Sequence, residues 1–206
     1  MRERAPGAAV EWGVATRCRR GEATSGDLGL VRVSSGGALV AGIDGLGHGV
    51  EAARAARTAG VVIRESASRD LPLIVERCHI ALKGTRGAAI SLAFISTSEG
   101  GLTWLGVGNV EGRVLSADPS AAQPKGSLAL TSGIPGHELP RLRTAALDVQ
   151  PGDVLVLATD GIESAFADSL DISGSTRAIS ERILADHWKP SDDGLVVAVR
   201  YLGVRP

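Results

Sequence analysis

Ala38-Leu39-Val40-Ala41-Gly42-Ile43-Asp44-Gly45-Leu46-Gly47-His48-Gly49 is the stretch from which the rest of the chain is best read. A short apolar run, the signature of a buried strand, stops at a carboxylate and runs into a glycine-rich loop. Beyond the loop, Val50 to Ser68 is Ala-rich with interspersed Glu and Arg and reads as a helix. On its near side, residues 28–34 form a second run, separated from the first by Ser35-Gly36-Gly37, which is a hairpin signal. Asp44 therefore stands at a strand end, before a loop in which the backbone can approach a ligand closely.

The same pattern recurs along the chain. Residues 8–17 read as a strand, and a second helix runs from near Pro72 to about Lys83-Gly84. Gly87 to Thr97 and Leu102 to Val107 flank the hairpin signal Glu99-Gly100-Gly101, and Val110 to Ser116 follows as a strand. Residues 117–140 hold four prolines and read as loops around a short strand near Leu128 to Thr131. Leu142 to Val149, Val154 to Ala158 and Leu195 to Tyr201 read as strands, and residues 176–188 as a helix. This order is not a regular β-α-β alternation. It predicts an α+β fold with antiparallel sheets covered by helices, in one domain spanning residues 1–206.

Bulk properties narrow the function classes. The 206 residues are 44% hydrophobic and 22% charged, ordinary globular values that exclude a disordered chain. Aromatics are only 3%, so the core must be aliphatic. A net charge of −1 gives no nucleic-acid footprint, and Arg17, Arg19 and Arg20 are too few to make one. No run approaches the roughly 20 apolar residues of a membrane span. Cys18 and Cys78 form neither a metal motif nor a disulfide framework, and lone thiols suit a reducing cytoplasm.

Four aspartates lie at strand ends: Asp27, Asp44, Asp160 and Asp193, the last three each followed by Gly. Asp-Gly is a favoured turn dipeptide, so each is a turn residue on its own account. If the strand ends meet, the carboxylates repel one another unless a cation sits among them, and such oxygen donors select Mg, Mn or Ca. The Gly45 carbonyl could join them. His48 could line a substrate pocket or merely cover the helix start. The four histidines lack zinc spacing, and there is no Gly-x-Ser-x-Gly elbow.

Six segments taken in order resemble the PP2C-like (PPM) phosphatases, and among them the compact bacterial SpoIIE-type branch. They are Ser25-Gly26-Asp27, Ile43 to Gly49, Arg86-Gly87-Ala88-Ala89-Ile90, Gly106-Val107-Gly108-Asn109, Thr159-Asp160-Gly161-Ile162 and Ser191-Asp192-Asp193-Gly194. The resemblance implies an αββα sandwich of two packed antiparallel β-sheets flanked by helices. It implies a centre of two Mn2+ or Mg2+, with Asp44 bridging, the Gly45 carbonyl on one metal, and Asp160 and Asp193 completing the other. Asp27 would act through water or behind the ligands, and Gly26 replaces a Glu ligand of larger family members. Asp44, Asp160 and Asp193 would carry catalysis by a metal-bridging water, with Gly47, His48 and Asn109 toward the substrate. The implied activity is hydrolysis of phosphoserine or phosphothreonine on STAS-domain stressosome proteins. The alternatives are a soluble anti-sigma-factor antagonist as substrate, or a catalytically weak phosphoprotein-binding module.

Overall fold

A computed structural model describes residues 9–97, 100–121, 124–167 and 170–203. The elements are β1 (Val10–Arg17), β2 (Asp27–Ser34), β3 (Gly37–Gly45), α1 (Gly49–Glu65), α2 (Leu71–Leu82), β4 (Ala88–Ser96), β5 (Gly101–Val107) and β6 (Glu111–Leu115). Then follow β7 (Gly126–Ser127), β8 (Leu130–Thr131), β9 (Ala145–Asp148), β10 (Val154–Ala158), a 3-10 turn (Ser164–Ala167), α3 (Thr176–His187) and β11 (Gly194–Tyr201). One sheet runs β1-β11-β10-β6-β7, the other β2-β3-β4-β5-β8, with β9 also on β5. Pairing is antiparallel except for the two-residue contact of β5 with β8, which is parallel and departs from the expected wholly antiparallel sheets. Glu99, in one expected hairpin, lies outside the described residues.

The alternating faces of the central strands explain the layers. In β3, Ala38 and Val40 join a core between the sheets, while Leu39, Ala41 and Ile43 turn toward α1 and α2. In β11, Val197 and Val199 enter the central core, and Val196 and Ala198 meet α3. Strands buried on both faces become continuous apolar runs, which is why they stand out in the sequence. The result is helices, sheet, sheet, helix.

Small residues bring α1 close to its sheet. A Cβ on Gly45 would stand 2.1 Å from the Ala52 carbonyl oxygen, and one on Gly60 would stand 2.5 Å from the Leu28 side chain. Ala52, Ala55, Ala56 and Ala59 are buried, so the alanine content serves close packing as well as helix propensity. Helix α2 begins at Asp70, whose carboxylate accepts from the Leu73 N–H at 3.2 Å. Cys78 is buried beneath it, and burial pushes its thiol up to about 12, so it stays protonated.

Two stretches differ from expectation. The strand expected over Leu142 to Val149 is only Ala145–Asp148, because Leu142 packs onto the helix-side core instead of extending the ladder. Residues 133–140 bind into the fold: the Ala88 N–H donates to the Pro135 carbonyl at 3.2 Å, and the Gly136 N–H to His79 Nδ1 at 3.0 Å.

Candidate metal centre

The hairpin of β2 and β3 sets the first half of the site. Its register pairs Asp27 directly with Asp44, so both carboxylates project from the same face. That is the face carrying Val31, Val33, Ala38 and Val40 into the central core. The two acids therefore look across at the other sheet.

The other sheet supplies the second half. Strand β10 ends at Ala158 and is followed by Thr159 and Asp160. The Thr159 hydroxyl donates to Asp27 Oδ2 at 2.8 Å and accepts from the Leu195 N–H at 2.9 Å, tying the two sheets together. Asn109, in the β5–β6 connection, donates to Asp160 Oδ2 at 2.7 Å. It holds Asp160 and also lowers the proton affinity of Asp44. Its amide thus contacts the acids from an exposed position at their edge.

Asp193 and Asp192 stand in different surroundings. Asp193 is buried, with one oxygen 2.8 Å from the Arg19 N–H and the other 2.8 Å from the Gly26 N–H. Both its oxygens fasten the loop before β2. Asp192 is half-buried, accepts from the Asp193 N–H at 2.9 Å, and ranks ahead of Asp193 among the charges that disfavour ionisation of Asp44. The sequence reading quoted Asp192 and Thr159 within its matching segments but gave neither a role in the site. Two adjacent acids before a strand cannot be assigned to faces without the loop geometry.

His48 and Gly47 sit on the rim. The His48 Nδ1 lies 2.8 Å from Glu22 Oε1, so its ring covers the start of α1 beside that carboxylate. Gly47 has φ 88° and carries the Arg86 guanidinium above it. Asp160-Gly161 does form a turn, closed by the Ile162 N–H donating to the Thr159 carbonyl at 3.0 Å, but Gly45, Gly161 and Gly194 all lack the positive φ that would by itself call for glycine. They are glycine because other groups approach them. A Cβ on Gly161 would lie 1.7 Å from the Asp193 carbonyl oxygen, and one on Gly194 2.5 Å from Trp188.

Gly26 has a similar cause. A Cβ there would stand 2.8 Å from the Ala52 Cβ, 3.3 Å from Asp193 Oδ2 and 3.3 Å from the Gly45 carbonyl oxygen. A side chain at position 26 would require Ala52 to shift.

The electrostatics fit a hard cation. Asp27 is pushed up to about 8, first by burial and then by the charge of Asp44, against the lowering bond from Thr159. Asp44 is pushed up to about 7, first by burial and then by Asp160, Asp192 and Asp193. Among the described residues no three His, Cys, Asp or Glu side chains are gathered tightly enough to hold an ion alone. Mg2+ in particular keeps several waters and needs only one or two carboxylates, so this sparse oxygen set suits it.

These shifts predict a pH dependence of the metal-free protein. Between the ordinary carboxylate range and about 8 the folded state keeps protons on Asp27 and Asp44 that the unfolded chain has lost. Stability must therefore fall as pH rises through that window. Thermal melts at pH 5 and pH 8 should show the loss in chelator. Added Mg2+ or Mn2+ should raise Tm more at pH 8, since binding displaces those protons. A cation-induced rise that is no larger at pH 8 contradicts the assignment.

Comparison with known proteins agrees with this geometry. Residues 34–201 match the family model described as Stage II sporulation protein E (SpoIIE). The chain is 27% identical over 144 residues, 70% of each chain, to the phosphoserine phosphatase RsbX of Bacillus subtilis (strain 168). A chain in a solved structure of the bacterial stressosome, described as a modular system adapted to control secondary messenger signaling, is 34% identical. That superposition has a TM-score of 0.85 and covers 93% of this chain and 99% of the other. RsbX in complex with magnesium shares the fold at a TM-score of 0.84 and 24% identity, over 97% of this chain and 99% of that one. The Mycobacterium tuberculosis serine/threonine phosphatase PstP shares it at 0.71 and 15% identity, over 94% and 99%. With a family match over most of its length and acids from two sheets meeting at one edge, the chain belongs to the SpoIIE-type family of PP2C-like phosphatases.

Proposed function

We propose that this protein removes phosphate from phosphoserine and phosphothreonine on STAS-domain proteins of a stressosome, resetting the signal after stress. The chain is a protein serine/threonine phosphatase. The observation that carries the reading is the meeting of Asp27 and Asp44 from one sheet with Asp160 and Asp192 from the other. The stressosome substrate is supported by the 34% identical chain from that assembly and by the similarity to RsbX.

We take the centre to hold two Mn2+ or Mg2+, with Asp44, the Gly45 carbonyl, Asp160 and Asp192 as donors. Asp193 and Asp27 support them from behind. The cations, once bound, supply a nucleophilic water near neutral pH and neutralise the phosphoryl oxygens. In the overall reaction a water oxygen bonds to phosphorus, the bond from phosphorus to the serine oxygen breaks, and that oxygen takes up a proton. Asn109 keeps Asp160 oriented, and Thr159 keeps Asp27 oriented. All the described strands and helices belong to one sandwich, which supports residues 1–206 as a single phosphatase domain. Among the described residues no helix is long and apolar enough to cross a membrane. The lone thiols Cys18 and Cys78 support a cytoplasmic site of action.

The test is hydrolysis of a phosphoserine peptide and of p-nitrophenyl phosphate with Mn2+, then with chelator. Turnover that requires the metal and stops with chelator is the expected result. Binding of the phosphopeptide with no turnover under Mn2+, Mg2+ or Ca2+ would favour the phosphoprotein-binding alternative.

A further inference from the structure

We propose that Arg86 grips the phosphoryl group of the substrate from across the glycine-rich loop. This deepens the phosphatase reading and rests on it. The β3–β4 ladder pairs Asp44 with Ala89 and Gly45 with Ala88. Past the strand end the Leu46 N–H still donates to the Gly87 carbonyl at 3.0 Å, so the register continues and sets Arg86 opposite Gly47. Arg86 Nη1 lies 2.6 Å from where a Cβ on Gly47 would stand. The bare glycine thus makes the space that the guanidinium fills, three residues along the loop from Asp44.

The corner that carries Arg86 is rigid. The Gly87 N–H donates to Thr85 Oγ1 at 3.0 Å, and the Thr85 N–H donates to the Leu82 carbonyl at 3.0 Å. Gly87 has φ 78° and is packed against Ile134, Pro135 and His137. Arg86 itself is exposed and forms no hydrogen bond or ion pair with any described residue. Glu22, the acid on the far side of the loop, is engaged by His48.

The chemistry of the group completes the case. A guanidinium presents a planar fork of donors that matches two phosphate oxygens at once. Asp27, Asp44, Asp160 and Asp192 gather at the centre, and their charges repel an incoming dianion. A guanidinium facing the loop from this corner offsets that repulsion and orients the group before attack.

Two measurements on the Mn2+-loaded protein test this. Calorimetric titration with inorganic phosphate is read independently of turnover, and KM and kcat are measured on a phosphoserine peptide. Arg86→Ala should weaken phosphate binding and raise KM by about tenfold to a hundredfold, the range of a charged hydrogen-bonded contact. Arg86→Lys should recover only part of the loss, because a point charge lacks the fork. Mn2+ affinity and Tm should not change in either variant. Phosphate affinity and KM unchanged in Arg86→Ala would overturn the proposal. So would a parallel loss of Mn2+ affinity, which would make Arg86 a support of the loop. Failure of the phosphatase reading itself would show differently, as unmutated protein that binds phosphate yet turns over no peptide.

Discussion

Asp44→Asn should lower turnover by about a thousandfold while leaving the metal-free protein at least as stable as the parent. The loss follows from the position of Asp44 between the two halves of the centre. Removing its charge removes several kcal/mol of transition-state stabilisation by the bound cations, and about 4 kcal/mol corresponds to that thousandfold. The stability follows from the same crowding. Asp44 is pushed up to about 7 by burial and by its neighbours Asp160, Asp192 and Asp193. A neutral amide of the same shape relieves that repulsion, so activity and stability should move in opposite directions. Steady-state kinetics with Mn2+ and melts in chelator read the two effects. Full activity in Asp44→Asn would end the two-metal account.

The adjacent pair Asp192 and Asp193 should separate cleanly. Asp193→Ala leaves the N–H groups of Arg19 and Gly26 without their acceptor. At roughly 1–3 kcal/mol for each unsatisfied group, the loss is about 2–6 kcal/mol, less a small relief of charge repulsion. In a chain of this size that lowers Tm by about 5–15 °C. Asp192→Asn should instead keep Tm and lose Mn2+ affinity and turnover, by about a hundredfold or more. Thermal melts and Mn2+ titrations of both variants decide the matter. If Asp193→Ala lost metal at unchanged Tm, the original assignment of Asp193 as a ligand would stand.

That pair shows where reading the sequence stops. The sheets were legible because their central strands are buried on both faces, so 38–43, 154–158 and 195–199 appear as apolar runs, while their packing as a sandwich came from the family resemblance. The helices were legible from their alanine content and their Pro and Gly boundaries. Asp27, Asp44 and Asp160 were legible as acids at strand ends. Their meeting was not, because it depends on how two sheets face each other. Which of Asp192 and Asp193 turns inward to two backbone N–H groups depends on the loop geometry. Thr159 looks like any residue before Asp-Gly, yet its hydroxyl spans the sheets. His48 and Asn109 were found in the right neighbourhood, but their contacts are to Glu22 and Asp160.

The pairing of β1 with β11 joins Val10 to Tyr201, and the bond from Gly26 to Asp193 spans nearly as much chain. Such distant pairings carry a loop-closure penalty before they contribute anything, so folds that rely on them assemble slowly. During synthesis β1 has no partner strand until β11 emerges, and the loop before β2 has nothing to fasten it. A ribosome-bound chain can form the β2–β3 hairpin and place α1 over it, but it presents only half of the acids. Asp27 and Asp44 therefore meet Asp160 and Asp192 only after β10 and β11 have joined the fold.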